Sequence, residues 1–430
     1  MFIPKSKWLA LLATAALTAA PALAQDNKAL INALIQKGVL TQDEAQKITD
    51  EIAKQQSGQD VVTNPSDTWV KKLTLTGRFQ VGFVDYGTGI ANAAVNPAAT
   101  QHFLLRRIYL GTKVDFADGF SGTVVYDFAN VSFDKALISW KQSDALTIDA
   151  GLNKAPFVYE ETTSSGALKA IERSAVTRYF DEPNNGRRLG AASYRIGLFA
   201  SGTIPNSPVF YSVAATNPER NEYSGDGTSG PAVNGNPGVQ SAGNGTNNNL
   251  GYYGTLGVSD KFDGGTYKFA VESGYLPDQG GPGATVGLGN NLSLYGTFAD
   301  VTYGNLEVQG EYLSANDKNG AGAGLDAKPS GYWIQPSYYL IPKVLEAVVN
   351  YSYVNSDGRG VSLSDSIRSA PSGGTMNKLS EWYVGGNWYL RGPDYKLQFG
   401  YVHGQSKDTV TGASAKATLD GVRSQVQINF

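Results

Sequence analysis

The chain has 430 residues, of which 51 are glycine and 24 tyrosine, with no cysteine and a formal net charge of −3. The near balance of charge argues against a nucleic-acid partner, and the lack of cysteine excludes a disulfide framework. With 17% charged and 11% aromatic residues, the composition is more typical of a β-barrel with aromatic girdles than of a helical protein.

The first 24 residues have the three parts of a secretory signal peptide. Two lysines precede the apolar run Trp8–Ala20, and Ala22-Leu23-Ala24 follows it, so cleavage is expected after Ala24. The apolar run is shorter than the ~20 residues that a spanning helix needs, and no later stretch approaches that length. A membrane location would therefore require a barrel.

Residues 25–56 change to a helical period. Leu30, Ile31, Leu34 and Ile35 form one apolar stripe, and the capping box in residues 41–44 begins a second helix. Two such helices cannot bury their stripes alone. Two interpretations stay open: a hairpin that packs on itself or on the barrel mouth, or a periplasmic coiled coil between subunits. Residues 57–68 are predicted to be a linker.

From residue 69 to residue 430 the sequence predicts an all-β, transmembrane antiparallel barrel of sixteen strands. The candidate strands are 71–85, 103–116, 120–128, 133–141, 146–154, 188–201, 208–216, 250–259, 266–276, 291–301, 305–314, 331–340, 344–355, 378–390, 395–405 and 419–430.

The connections between these strands alternate in length. Short turns such as 117–119, 142–145 and 303–304 alternate with long segments rich in Gly, Asn, Ser and Pro, such as 217–249 and 356–377. Short turns on one rim and long loops on the other are the arrangement of bacterial outer-membrane barrels, and an even strand number puts both ends of the barrel on the periplasmic side.

Side-chain alternation supports a lipid-facing outer surface. In the last strand Val422, Val426, Ile428 and Phe430 share one face, and polar residues share the other. Trp382 and Trp388 lie on one face of another strand. Their separation of ~20 Å at the rise of an extended chain matches two interfacial aromatic belts, although a buried tryptophan pair is the alternative.

A barrel of this size encloses a lumen that its own side chains cannot fill, so a narrower element must set selectivity. The run 154–165, KAPFVYEETTSS, followed by Glu172-Arg173-Ser174, resembles the loop signature of the phosphate-selective porin O and P family. The run 105–111, LRRIYLG, resembles the arginine-pair strand of that family. The resemblance implies homotrimers of sixteen-stranded barrels. Their third loop, predicted here at residues 155–187, folds into the lumen and presents lysines and arginines to anions.

The resemblance also implies the site residues. Lys154, Ser164, Ser165 and Arg173 match the loop signature, whereas Gly166 stands where the family pattern has an arginine. Loss of that guanidinium would remove a bidentate phosphate donor. Together with residues predicted from strand parity and from the loop, the candidate constriction and anion-binding set is Lys154, Ser164, Ser165, Arg173, Arg107, Arg78 and Arg178.

Charge counts do not decide the selectivity. Strand parity directs seven basic and eight acidic residues inward; they are Arg78, Arg107, Lys113, Arg195, Lys268, Lys396 and Arg423, against Asp115, Asp127, Asp149, Glu272, Glu307, Glu311, Glu346 and Glu381. The four arginines Arg173, Arg178, Arg187 and Arg188 either line the constriction or pair with nearby carboxylates to hold the loop folded, and both interpretations can hold together.

The motifs of enzymes are missing from the sequence. His102 and His403 are the only histidines, and neither a G-x-S-x-G nor a phosphate-cradling motif occurs. The sequence therefore predicts no enzyme, cofactor or metal, but a passive outer-membrane porin for small hydrophilic solutes with a preference for anions such as phosphate. The alternatives are a weakly selective general porin and a structural or adhesive barrel. The expected partners are membrane lipid, the solutes and two further copies of the chain.

Overall fold

The computed structural model describes residues 59–63, 69–90, 98–218, 220, 250–277 and 291–430. The predicted signal peptide and the predicted helical segment 25–56 lie outside these residues. Within the described ranges, no helix is both long and apolar enough to cross a membrane.

The described residues are mostly strands. Their bounds are β1 (Gln59–Thr63), β2 (Val70–Ile90), β3 (Ala99–Phe116), β4 (Phe120–Asp127), β5 (Ser132–Ser143), β6 (Leu146–Lys154), β7 (Tyr194–Thr203), β8 (Val209–Thr216), β9 (Gly251–Phe262), β10 (Gly265–Leu276), β11 (Leu292–Tyr303), β12 (Leu306–Gly322), β13 (Leu325–Ala327), β14 (Ser330–Ile341), β15 (Leu345–Asn355), β16 (Lys378–Arg391), β17 (Tyr395–Lys407) and β18 (Lys416–Asn429). The helices are α1 (Tyr159–Thr162), α2 (Ala175–Asp181), α3 (Leu363–Ser366) and a 3₁₀ turn, Ala117–Gly119.

Sixteen of these strands close into one antiparallel barrel. Each of β2 to β12 and β14 to β18 pairs with the next in chain order. β18 returns to β2, with Ala417 opposite Ile90 and Asn429 opposite Arg78. Closure leaves the barrel without an unpaired edge, as a membrane-spanning sheet requires. The sixteen strands predicted from the sequence are all present.

Two short strands extend this barrel. β1 pairs with residues 72–75 of β2, so part of the segment predicted to be a linker is a strand instead. β13 pairs with the end of β12 and lengthens the hairpin of β12 and β14.

One predicted boundary is wrong by several residues. The sixth barrel strand was expected to begin at Arg188, but β7 begins at Tyr194. The backbone N–H groups of Leu189 and Ala191 donate to Tyr179 and Phe180 of α2 at 2.9 and 2.8 Å. These residues are therefore bonded to the preceding loop rather than to a neighbouring strand.

The outer wall is apolar and much of the inner wall is polar. Phe399, Val426 and Ile428 are exposed on the outside, as are Trp382 and Trp388. On the inside, buried Gln80 donates from Nε2 to Gln427 Oε1 at 2.6 Å. An apolar outside and a polar inside are the reverse of a soluble protein, and they are the pattern of a barrel with lipid outside.

The connections follow the predicted alternation. On one rim the turns are short, at 117–119, 144–145, 204–208, 263–264, 304–305, 342–344 and 392–394. On the other rim the connections between β6 and β7 and between β15 and β16 are long enough to fold into compact units.

The interior also contains an apolar core. Phe157, Val158 and Phe180, from the loop between β6 and β7, are fully buried, as are Leu292 and Leu313 of the barrel wall. The inner face of β10 to β12 thus contributes apolar side chains to the contact with the loop, beside Glu272 and Glu311, which accept hydrogen bonds from backbone N–H groups of the loop. This packing positions the candidate site.

Candidate pore constriction

The third loop, residues 155–193 between β6 and β7, lies inside the barrel. It is held from several sides of the wall: Tyr159 Oη donates to Asp300 of β11 at 2.6 Å, and the backbone N–H of Ala175 donates to Ser352 of β15 at 3.2 Å. Lys396 of β17 donates to the carbonyl oxygen of Leu168 at 2.7 Å. Contacts with so many strands fix the loop across the lumen.

The loop has its own internal structure. Ser174 caps α2, because its hydroxyl accepts from the backbone N–H of Thr177. The Glu160 carboxylate accepts from the N–H and the hydroxyl of Ser174 at 2.9 and 2.6 Å, which joins α1 to α2. Burial nonetheless raises the pKa of Glu160.

Lys154 and Arg173, two of the predicted site residues, share one carboxylate. The Glu161 carboxylate lies 2.8 Å from Lys154 Nζ and 2.7 Å from Arg173 Nε. Glu161 is only 5% exposed. Burial favours the neutral acid, but Arg173 and Lys154 hold the pKa of Glu161 below its usual value. Arg173 also donates to three loop carbonyl groups, those of residues 160, 161 and 163.

Arg78, Ser164 and Ser165 come together at the lower edge of the loop. Arg78 donates to the hydroxyls of Ser165 and Ser164 at 2.6 and 3.2 Å. A Cβ on Gly166 would lie 2.6 to 2.8 Å from three atoms of the Arg78 guanidinium. The strand arginine thus covers the loop position at which the family pattern has its own arginine.

Both arginines of the pair in β3, Arg106 and Arg107, point into the barrel. Strict alternation would direct Arg106 and Arg107 to opposite faces. Gln80 of β2 pairs with Arg107, but the next residue, Val81, pairs with Leu105. The pairing therefore skips Arg106, which forms a bulge in β3. Both arginines are buried: Arg107 donates to Gln80 at 2.7 Å, and Arg106 makes a two-pronged ion pair with Glu172.

Arg178 and its neighbours are engaged by carboxylates. Glu182 lies 2.8 Å from Arg178 and 2.6 Å from Arg188, and also contacts Arg368. Arg187 pairs with Asp365 at 2.6 Å. These contacts fit the interpretation in which the loop arginines pair with nearby carboxylates and hold the loop folded.

A cavity of about 760 Å³ lies below the third loop, on the side of the short turns. Its basic lining residues outnumber the acidic ones: Arg78, Lys113, Lys135, Lys154 and Lys268 against Asp134 and Glu272. The opposite wall is aromatic, with Lys268 Nζ 4.8 to 5.3 Å from the ring centres of Phe210, Tyr159 and Phe298. Two of these cations pair with carboxylates outside the lining, Lys113 with Asp115 at 2.7 Å and Lys154 with Glu161 at 2.8 Å, so the excess of positive charge is smaller than the residue count.

Sequence reasoning missed a second inward loop. Residues 356–377 were predicted to be an external loop, but Leu363 and Ile367 are buried against the inner wall. Arg359 from this loop contacts Asp317 and donates to the carbonyl oxygens of Arg187 and Arg188. One signal was present in the sequence, because Ser362 and Asp365 have the spacing of the capping box that starts α3.

The closed barrel, the inward third loop and the lined cavity define an outer-membrane diffusion channel, a porin, rather than an enzyme. The sequence profile described as phosphate-selective porin O and P matches residues 73–430. The chain belongs to that family, and its place is the outer membrane.

Solved structures share the fold. The outer-membrane channel DcaP of Acinetobacter baumannii is 12% identical, with a TM-score of 0.52 over 86% of this chain and 100% of that one. An anion-selective porin from Comamonas acidovorans is also 12% identical, with a TM-score of 0.51 over 83% of this chain and 99% of that one. A comparison with curated proteins finds no match.

Proposed function

We propose that this porin passes small anions, phosphate among them, in preference to cations by passive diffusion, without covalent chemistry. The observation that carries the proposal is the excess of basic residues around the cavity below the third loop. A charged ring next to the narrowest part of a channel can dominate permeation even where the lumen as a whole is mixed. The description of the family as phosphate-selective supports the same preference.

The predicted site residues divide into two roles under this proposal. Arg78, Lys154, Ser164 and Ser165 border the cavity and would contact the passing anion. The other three hold the loop in place. Arg173 binds Glu161 and loop carbonyl groups, and Arg178 binds Glu182. Arg107 donates to Gln80, which in turn donates to the carbonyl oxygen of Ser165.

The test is the zero-current potential of the purified protein in a planar bilayer under a potassium chloride gradient. We expect the sign of an anion-selective channel and a shift toward zero for Lys268→Met. Lys261→Met is the matched control, because Lys261 lies in the same hairpin and outside the cavity lining. A cation-selective potential for the unchanged protein would contradict the proposal.

A weakly selective general porin is the second candidate, and one observation favours it. Lys154 and Arg173 share the Glu161 carboxylate, so part of their charge is compensated before any solute arrives. Added millimolar phosphate separates the two candidates. A block of the chloride current that Lys154→Gln relieves supports phosphate binding, and unchanged current supports the general porin.

We propose further that the porin is a homotrimer. The third loop packs inside the barrel, which favours a channel over a purely structural or adhesive barrel. Channels of this family are expected to associate in threes. Native mass spectrometry from detergent would give three copies, and a single copy would contradict this part of the proposal.

A further inference from the structure

A second, much smaller cavity lies between the third loop and the second inward loop. Its volume is about 20 Å³, and its lining includes Glu161, Arg173 and Arg178 of the third loop and Arg368 of the second inward loop. The Arg368 side chain is 30% exposed, so the small cavity adjoins the solvent above the third loop. The large cavity, of about 760 Å³, lies on the other side of that loop.

A single ion pair stands between the two cavities. Lys154 lines the large cavity and Glu161 lines the small one, and Lys154 Nζ lies 2.8 Å from Glu161 Oε1. Together with Arg173, which contacts the same carboxylate, these two residues form a neck. An ion that moves directly from one cavity to the other must pass through this neck.

The charges around the small cavity are balanced. Four cationic side chains face four carboxyl groups; they are Arg106, Arg173, Arg178 and Arg368, against Glu161, Glu172, Asp181 and Glu182. Such a lining is not built to hold an anion permanently. Conduction, however, requires sites that an ion can leave as readily as it enters them. The small cavity therefore suits the passage of an ion better than its storage.

The two cations of the neck are held in place without the Glu161 carboxylate. Lys154 Nζ also donates to the backbone carbonyl oxygen of Glu161 at 2.7 Å. Arg173 donates to the backbone carbonyl oxygens of residues 160, 161 and 163. Only the Glu161 side chain therefore has to move for the neck to open, and Lys154 and Arg173 then remain as a fixed pair of charged donors.

The small cavity offers the Glu161 side chain a second position. A cavity above roughly 10–15 Å³ has room for one water-sized group, and Glu161 already borders this one. Arg178 lines the same cavity, and among the described residues its buried Nη1 atom has no hydrogen-bond partner. This unused donor gives a displaced carboxylate a new partner.

The present contacts of Glu161 indicate which anions can replace it. Oε1 lies 2.8 Å from Lys154 Nζ, and Oε2 lies 2.7 Å from Arg173 Nε. A carboxylate or a phosphate also has two oxygen atoms that can contact two donors at once, whereas a halide has a single centre. The neck thus fits oxyanions better than halides.

We propose that Glu161 controls passage through the third loop: its carboxylate moves toward Arg178, and a passing oxyanion takes its place between Lys154 and Arg173. This inference rests on the proposed function, because it assumes that the channel conducts anions. It adds the residue whose carboxylate competes with those anions, and the class of anion that competes best.

Single-channel conductance in potassium chloride tests the role of Glu161. Glu161→Gln removes the competing charge, so the conductance should rise roughly twofold or more. Glu307→Gln is the matched control, because its carboxylate pairs with Lys169 and lies outside the linings of both cavities. At about 1 M salt the Debye length is only about 3 Å, so the control should keep the conductance of the unchanged protein.

The unchanged protein provides a second test, which does not depend on the folding of a variant. Potassium formate is placed on one side of the bilayer and potassium chloride on the other. The zero-current potential should show formate to be more permeant, relative to chloride, than its mobility in water predicts. Lys154→Gln should remove this excess permeability, because it takes away one of the two donors.

The possible failures can be told apart. Single-channel records count only inserted protein, so a lower folded fraction of Glu161→Gln does not affect them. An anion-selective channel with the same conductance before and after Glu161→Gln would overturn the role of Glu161 and leave the proposed function intact. A formate permeability no higher than its mobility predicts would overturn the preference for oxyanions. Cation selectivity of the unchanged protein would overturn the proposed function and this inference with it.

Discussion

At Gly166, the space that a side chain would need is filled by the guanidinium of Arg78. This close approach explains why a glycine follows Ser164 and Ser165, which accept hydrogen bonds from the same guanidinium. The strand and the loop therefore depend on each other at this point, although they are far apart in sequence.

Gly166→Ala should displace Arg78, because the new Cβ would lie 2.6 Å from Nη2. We expect loss of the hydrogen bond to Ser165, a cost of about 1–3 kcal/mol, and a smaller anion preference in the zero-current potential. Gly87→Ala is the control, because a Cβ there meets no atom within 4 Å. Equal potentials for the two variants would refute the coupling.

Glu161→Gln should be more damaging than a surface change, because it leaves Lys154 and Arg173 without their shared carboxylate. Removing one partner of a buried ion pair costs about 3–5 kcal/mol. Urea unfolding in detergent micelles measures the change in the free energy of unfolding. Glu307→Gln, whose carboxylate pairs with Lys169 in a more exposed position, should cost less, and the reverse order would contradict the assignment.

The third loop, as an element, should loosen in acid. Glu161, Glu172 and Glu182 have lowered pKa values, since arginines and Lys154 outweigh the effect of burial. Their stabilisation is complete above the unfolded value of about 4.3 and is lost as the pH falls through their folded pKa values.

Glu160 and Asp181 act in the opposite direction, because burial raises their pKa values; their neutral forms are the ones that the fold favours. With the ion-paired groups dominant, hydrogen exchange of residues 155–193 should be faster at pH 3 than at pH 5, after correction for the intrinsic rate. Slower exchange at pH 3 would mean that the raised groups dominate instead.

The second inward loop should depend on Asp365. This carboxylate caps α3 through Ser362 and pairs with Arg187 of the third loop. Asp365→Asn is expected to cost about 1–2 kcal/mol through the weakened cap and the lost ion pair. Hydrogen exchange should rise in residues 356–377 and 185–188 together. Asp326→Asn, in an exposed hairpin, should leave both segments unchanged; a rise confined to one loop would show that they are not linked.

The elements differed in how well the sequence predicted them. Period-two alternation was sufficient for the sixteen strands, because each has one face toward lipid. It could not reveal that Arg106 points inward, because this depends on a bulge and no residue type in the sequence signals a bulge at this position. It also could not give the start of β7, because Leu189 and Ala191 bond to α2 rather than to a strand.

The site was harder to predict than the strands. The loop signature predicted Lys154, Ser164, Ser165 and Arg173 as site residues, but not the contacts of the third loop with the second inward loop. Arg368 and Asp365 lie nearly two hundred residues further along the chain, in a segment whose Gly- and Ser-rich composition is typical of an external loop. Only closure of the barrel brings these groups together.

For the whole molecule, Phe430 extends the pairing of β18 with β2 that closes the barrel. The backbone N–H of Gly77 donates to the carbonyl oxygen of Phe430 at 2.8 Å, and the Phe430 ring packs 5.7 Å from the ring of Phe79. A Cβ at Gly77 would lie 2.2 Å from the Phe430 ring, so no side chain fits there without moving that ring.

Gly77→Ala should therefore weaken closure of the barrel. We expect a smaller fraction of folded protein after refolding into detergent, measured by electrophoretic mobility without heating. Gly254→Ala is the matched control, because the nearest atom to its Cβ would be 3.8 Å away. Equal refolding yields would show that the Phe430 ring adapts.

The hydrogen bonds of the third loop to β17 and β18 imply an order of events during assembly. Lys396 holds Leu168 across a sequence separation of 228 residues, and Gln427 holds Gly166 across 261. Partners so distant along the chain meet only after almost all of it has been placed. These two contacts would thus form after those of the third loop with β2, β11 and β15. The constriction would reach its final position only when the last strand is in place.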